Sequence, residues 1–149
     1  MARPAYHTLG LPEAAEPLRL PRGMLWVDEF DWTPVATEQR WGTNGAQHLH
    51  IGVRQAGRPI TLRGDDGAGW IRRGTLDALR AMAAEPGVAY VLQLADGRKF
   101  AVMFAPDAPI DGTRPVGRPE LPTADNPYVT TLRLIEIGAD DDDDQDPEP

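Results

Sequence analysis

Two histidines at i and i+2, His48 and His50 in the stretch HLHIGVRQAGRPITLRG, are the first residues whose types and spacing suggest chemistry. On a strand they lie about 7 Å apart on one face, close enough to share a metal ion. A closed site needs a third and usually a fourth ligand. The chain holds one further histidine, His7, and no cysteine, so carboxylates would have to complete the set. The simpler reading puts both histidines on the solvent face of a hairpin, and neither a metal nor any other cofactor is expected.

The second candidate is the carboxylate cluster Asp28, Glu29 and Asp31, flanked by Trp26, Phe30 and Trp32. Aromatic platforms beside two carboxylates are what glycosidases use. Neighbouring strand residues point to opposite faces, however, so nothing in the spacing sets the two acids across a substrate. Aromatics in the core and acids in turns is the expected arrangement. The glycine-rich GDDGAG at 64–69 precedes a helix, as phosphate loops do, but lacks the lysine and Ser/Thr of a P-loop, and its two Asp residues would repel phosphate. With neither serine nor cysteine in the chain, the common acyl-transfer nucleophiles are missing. No catalytic residue is assigned, and the chain is not expected to be an enzyme.

The elements that must carry these residues read as strands. In HLHIGVRQ, Leu49, Ile51 and Val53 alternate with His48, His50 and Arg54, the period of a half-buried strand, so the face opposite the histidines is the informative one. The turn AGR and a return strand PITLRG, with Ile60 and Leu62 on one face, complete an expected hairpin. VAYVLQLADGRKFAVMFA gives the strongest hairpin signal. Val88, Tyr90, Leu92 and Leu94 alternate up to Asp96-Gly97, and Phe100, Val102 and Phe104 alternate on the return. Between the hairpins, TLDALRAMAAEPG predicts one short helix, with Thr75 as cap, an apolar stripe of Leu76, Leu79, Met82 and Ala83, and a stop at Pro86-Gly87. The closing YVTTLRLIEI places Thr130, Leu132 and Leu134 on one face and Arg133, Ile135 and Ile137 on the other. Apolar residues on both faces mark a strand inside a sheet or at an interface.

The pattern predicts a mainly β fold, a β-sandwich or small barrel of about five to seven strands with one short flanking helix. Residues 1–17 read as an extended N-terminal arm and 18–137 as a single β-rich domain. Six prolines between Ala105 and Pro127 suggest a long proline-rich loop at 106–127, and 138–149 a disordered acidic tail. That tail holds seven acids; setting them aside from 23 leaves 16 against 15 Lys and Arg, so the net charge of -8 belongs mostly to the tail. A body without basic excess argues against nucleic acid as a partner. No stretch approaches the roughly 18 apolar residues of a membrane span, and the N-terminus lacks the apolar core of a secretion signal, so a soluble protein and no membrane partner are expected.

The order WVDEFDWTPV, AGRPITLRG, a Gly/Asp loop with Trp70 leading into LDALRAM, LQLADGRKFAVMF and YVTTLRLIEI resembles small tail proteins of long-tailed bacteriophages and prophages. The likeness is to distal or minor tail components at the tube's end and spans roughly residues 24–137. It implies a structural virion protein that forms a ring, often hexameric, linking the tail tube to tip or baseplate proteins. Its partners would be further copies of itself and adjacent tail proteins. It would be made in the bacterial host cytoplasm and end in the virion tail. Subunit contacts would fall on sheet edges, Ile135, Ile137 and Tyr128, with the arm and the 106–127 loop clasping neighbours. Two readings from other classes stand beside it: a small phage-encoded binding or regulatory protein engaging a basic partner through its acidic tail, and a β-barrel enzyme with the carboxylate cluster at its mouth.

The last eleven residues, ADDDDDQDPEP, offer no apolar side chain after Ala139 to dock on a body. Deleting 139–149 is therefore expected to change unfolding free energy by less than about 0.5 kcal/mol, the range of ordinary surface changes. Chemical denaturation of the truncated and full chains measures it.

Overall fold

The computed structural model describes residues 6–54 and 56–137. In chain order the elements are β1 (Tyr6–Gly10), β2 (Leu18–Pro21), β3 (Leu25–Trp26), β4 (Val35–Trp41), β5 (Gln47–Val53), β6 (Pro59–Arg63), β7 (Ile71–Arg72), α1 (Arg73–Ala83), β8 (Tyr90–Gln93), β9 (Lys99–Phe104), β10 (Ile110–Pro115) and β11 (Pro127–Glu136). The fold is mainly β with one short helix, and every strand pairing is antiparallel. Nine strands form one sheet along the path β2-β1-β8-β9-β11-β6-β3, with β7 and β10 attached to β11; the sheet does not close into a barrel. β4 and β5 form a separate two-stranded sheet.

β11 is interior, as its two apolar faces require. Its Tyr128, Val129, Thr130, Thr131, Leu132 and Leu134 are buried. β6 pairs along residues 131–135 and β9 along 134–136, while β7 and β10 pair with its first half. The core packs Leu132 and Leu134 with Ile60 and Leu62 of β6, Leu92 of β8, Val102 of β9 and Leu9 of β1. The β8–β9 hairpin forms as its alternation demands: Tyr90 faces Val102, Gln93 faces Lys99, and Gly97 takes the positive φ of 101° that a tight turn requires. On α1, Leu76 and Leu79 are buried against the core, and Met82 packs beside them.

Four local expectations are corrected. Residues 6–10 are not part of an arm: β1 sits between β2 and β8, with His7, Leu9 and Gly10 buried. The 106–127 segment is not a continuous loop, since β10 pairs with β11 across a register shift between Asp111 and Arg114. Gly112, at φ 61°, supplies the backbone bend there, and the interrupted register hides the strand's period. The partner of β5 is β4, not β6, which instead joins β11 and β3. The helix starts two residues before Thr75, with no side-chain cap. Its first N–H groups, from Arg73 and Gly74, donate to the Asn126 and Ala124 carbonyls, 3.0 Å each, so distant backbone supplies the cap. Residues 1–5 of the expected arm and the acidic tail at 138–149 lie outside the described residues.

His7 shows what the first strand does. The Ala95 N–H donates to its Nδ1 at 2.8 Å, leaving Nε2 protonated to donate to the Met24 carbonyl at 3.1 Å. A neutral imidazole thus ties the end of the β8–β9 hairpin to the entry of β3, inside the fold. Replacing His7 with Phe keeps the bulk but leaves two buried backbone groups unpaired. Stability in urea is expected to fall by about 1–3 kcal/mol, and an unchanged midpoint would show the bonds to be dispensable.

Candidate functional site

The acidic and aromatic stretch at 26–32 is held by its own charges. The Asp28 carboxylate accepts from both the Thr61 N–H (2.9 Å) and the Thr61 hydroxyl (2.8 Å), fastening the turn after β3 to β6. Glu29 takes Arg98 Nη1 at 2.7 Å, and its carbonyl accepts from Arg58 Nη2 at 2.9 Å. Arg98 also pairs with Asp96 at 2.7 Å. The guanidinium carbons of Arg58 and Arg98 lie 4.5 and 5.4 Å from the Trp26 ring centre, and Phe100 meets that ring edge-on at 5.4 Å. Arg58 also lies 5.7 Å from the centre of the Trp32 ring. Trp26 Nε1 and Arg58 Nε are buried without hydrogen-bond partners among the described residues, and the guanidinium lies over the ring.

An open pocket of about 360 Å³ lies here, lined in part by His7, Met24, Trp26, Glu29, Asp96 and Arg98. Of its charged groups, Glu29, Asp96 and Arg98 are matched to one another, while Arg22, which also lines it, makes no ion pair among the described residues. Asp28 and Glu29 are bound to separate protein partners, and Asp31 is exposed on the turn, its N–H bonded to the Asp28 carbonyl at 3.2 Å. The arrangement braces a turn; it does not set two free carboxylates across a cleft. The GDDGAG segment is likewise a self-bonded loop, in which Asp65 Oδ1 accepts the Gly67 and Ala68 N–H groups. It packs so tightly on the start of β3 that a Cβ on Gly23 would stand 2.6 Å from Gly69 N.

The histidines do not meet. His7 is buried in the main sheet, while His48 and His50 lie on the ribbon of β4 and β5, opposite Arg40 and Glu38. Glu38 and Arg40 form an exposed ion pair at 2.7 Å on that polar face. Among the described residues no group of three or more His, Cys, Asp or Glu is placed to hold a metal ion.

The other face of the ribbon is where the sequence pattern pointed without saying what it would find. Register places Val35 opposite Val53, Thr37 opposite Ile51, Gln39 opposite Leu49 and Trp41 opposite Gln47. Side chains alternate, so these eight residues share one face, and it carries no charged group. They are not half-buried as the alternation suggests: Leu49 is 54% exposed, Ile51 70%, Val53 74% and Trp41 67%. The missed strand β4 had a signal in Asn44-Gly45, a tight-turn dipeptide. Gly45 has φ 81°, the Asn44 side chain accepts the Ala46 N–H at 3.0 Å, and Gly42 N–H closes the loop on the Ala46 carbonyl at 2.7 Å. The expected contact residues lie elsewhere. Tyr128 is buried and accepts from Arg73 Nη1 at 2.6 Å, and Ile135 and Ile137 are half-buried, Ile135 paired between Pro59 and Met103.

No protein-family model, curated protein or solved structure matches the chain.

The hydrogen bonds of the Arg98 guanidinium and N–H to Asp96 hold its carboxyl below the ordinary aspartate value. A depressed carboxyl adds stability that is fully present above the ordinary aspartate range, about pH 4, and is lost as pH falls through the folded value below it. Asp96→Asn is therefore expected to be less stable than the parent at pH 6, the gap narrowing as pH drops below about 4. Thermal melts of both proteins across that range test it, and a gap that stays constant would rule the ion pair out.

Proposed function

We propose that the chain is a structural component of a bacteriophage or prophage tail, forming a ring at the distal end of the tail tube and linking it to tip or baseplate proteins. The observation that carries this reading is the β4–β5 ribbon, an uncharged apolar face that takes no part in its own core. A two-stranded ribbon is marginal by itself, and apolar surface held in register has to be covered for the ribbon to be more than a liability. Repeated assembly supplies such a cover, and a tail tube imposes its symmetry on whatever caps or extends it. The resemblance over residues 24–137 adds the tail as the setting. Partners are further copies of the chain and neighbouring tail proteins, with no role assigned to nucleic acid, membrane or catalysis.

Mass spectrometry of purified virions, with cryo-electron microscopy of the tail tip, tests the reading. The protein is expected at one end of the tail, in a copy number set by ring symmetry. Its absence from particles, with normal tails made when its gene is deleted, would overturn the assignment in favour of a small regulator acting through its acidic tail.

A further inference from the structure

We infer that the apolar face of the β4–β5 ribbon seats on a second apolar patch, Leu25, Val27 and Phe30, of the next copy of the same chain, in a head-to-tail contact. The inference rests on the reading of the chain as a self-assembling tail component and names the two surfaces that would meet.

Among the described residues, the patch is the other place where several large exposed apolar side chains lie close together in sequence. Leu25 is 64% exposed, Val27 44% and Phe30 91%. It lies where the nine-stranded sheet ends, since β3 has β6 beside it and, among the described residues, no strand on its outer side. The ribbon too has, among the described residues, no strand beyond β4 or β5. Each surface thus combines exposed apolar side chains with an unpaired strand edge, the two features that strand addition uses.

Charge allows the contact. The ribbon face is uncharged, and of the acids beside the patch Asp28 is engaged by Thr61 and Glu29 by Arg98, which leaves the exposed Asp31 at its rim to stay in water. A nucleic acid or a strongly charged protein would find nothing on this face to pair with. Area is modest. Side chains of ordinary size give about 500 Å² for the ribbon face and about 350 Å² for the patch. The sum of about 850 Å² lies just under the roughly 1,000 Å² threshold of a biological interface, the size of a weak contact that repetition around a ring reinforces.

Two ribbons packed face to face would bury the ribbon but leave Leu25, Val27 and Phe30 in water, and would stop at a dimer. Ribbon on patch covers both surfaces at once. Because the two surfaces differ, a pair still offers one free ribbon and one free patch, so the contact repeats, and it closes as a ring where the rotation per copy divides a full turn.

Sedimentation velocity on the full chain over a concentration series tests this with Ile51→Asp on the ribbon and Phe30→Asp on the patch. Both positions are exposed, so circular dichroism and melting should match the parent. Val53→Asp and Leu25→Gln repeat the test at other positions on the same surfaces. The parent is expected to self-associate, and each variant to do so at least about tenfold more weakly, as for loss of a central contact. An equimolar mixture of Ile51→Asp and Phe30→Asp should form a 1:1 dimer and nothing larger, because one intact ribbon can meet one intact patch. A parent that stays monomeric up to about 1 mM, or variants that assemble as it does, would overturn the inference. So would a mixture that stays monomeric, and a Phe30→Asp protein that dimerises by itself as readily as the parent associates would indicate ribbon-to-ribbon pairing instead. A parent that forms rings yet is missing from virions would sink the tail reading alone. Virions that incorporate Ile51→Asp at full occupancy would sink the contact alone.

Discussion

The strand β11 is the element on which the rest depends. Its ten residues are hydrogen-bonded to four strands, two along each half, and its central side chains are buried on both faces. An unpaired polar group on such a strand is costly, and Thr130 shows how one is handled. Thr130 Oγ1 lies 2.7 Å from the Thr113 hydroxyl and 3.3 Å from the Asp111 carbonyl, so β10 covers a polar spot that would otherwise penalise burial. Tyr128 extends the same logic to the helix: its hydroxyl accepts from Arg73, the first residue of α1. A sheet pinned at its centre in this way has little freedom at the positions that matter for presentation of a surface.

The turn at 26–32 carries that rigidity outward. Asp28 fastens it to Thr61 of β6, a direct neighbour of β11, and Glu29 and Arg58 connect it through Arg98 and Trp26 to the β8–β9 hairpin. The ribbon begins a few residues later, and the Arg54 N–H donates to the Pro34 carbonyl at 2.6 Å to close its base. Acids that look like catalytic candidates in sequence therefore act as mounting points. A surface held on such a mount loses less conformational entropy when it docks than a flexible loop would, and the saving goes directly into affinity.

What the sequence revealed follows from how local each determinant is. The β8–β9 hairpin was legible because Asp96-Gly97 and the flanking alternation lie within one short window, and β11 because its two-faced apolarity is unusual. β1 was not, since His7 occupies an inward position and its partners, Met24 and Ala95, are 17 and 88 residues away. The helix start was misplaced for the same reason: the groups that cap it come from residues 124 and 126. In the ribbon, alternation gave the two faces correctly but not the exposure. Period says which side chains share a face; only tertiary packing says whether anything lies against it.

That gap between pattern and packing bears on how the proposed assembly would avoid indiscriminate contacts. An uncharged apolar ribbon with free edges invites indiscriminate pairing. Two features oppose this. The ribbon's reverse face is polar, with the Glu38–Arg40 pair and both histidines, so only one side is adhesive. The chain as a whole carries a net charge of -8, concentrated in its last residues. Repulsion between copies acts at separations up to about a Debye length, roughly 8 Å at physiological salt, whereas the apolar contact acts only on touching surfaces. In the proposed contact, copies that meet in a poor orientation would gain repulsion with little burial, whereas those that meet ribbon to patch would gain burial to set against it. The charge would then work against loose association more than against the proposed contact, the discrimination that a ring-forming subunit would need.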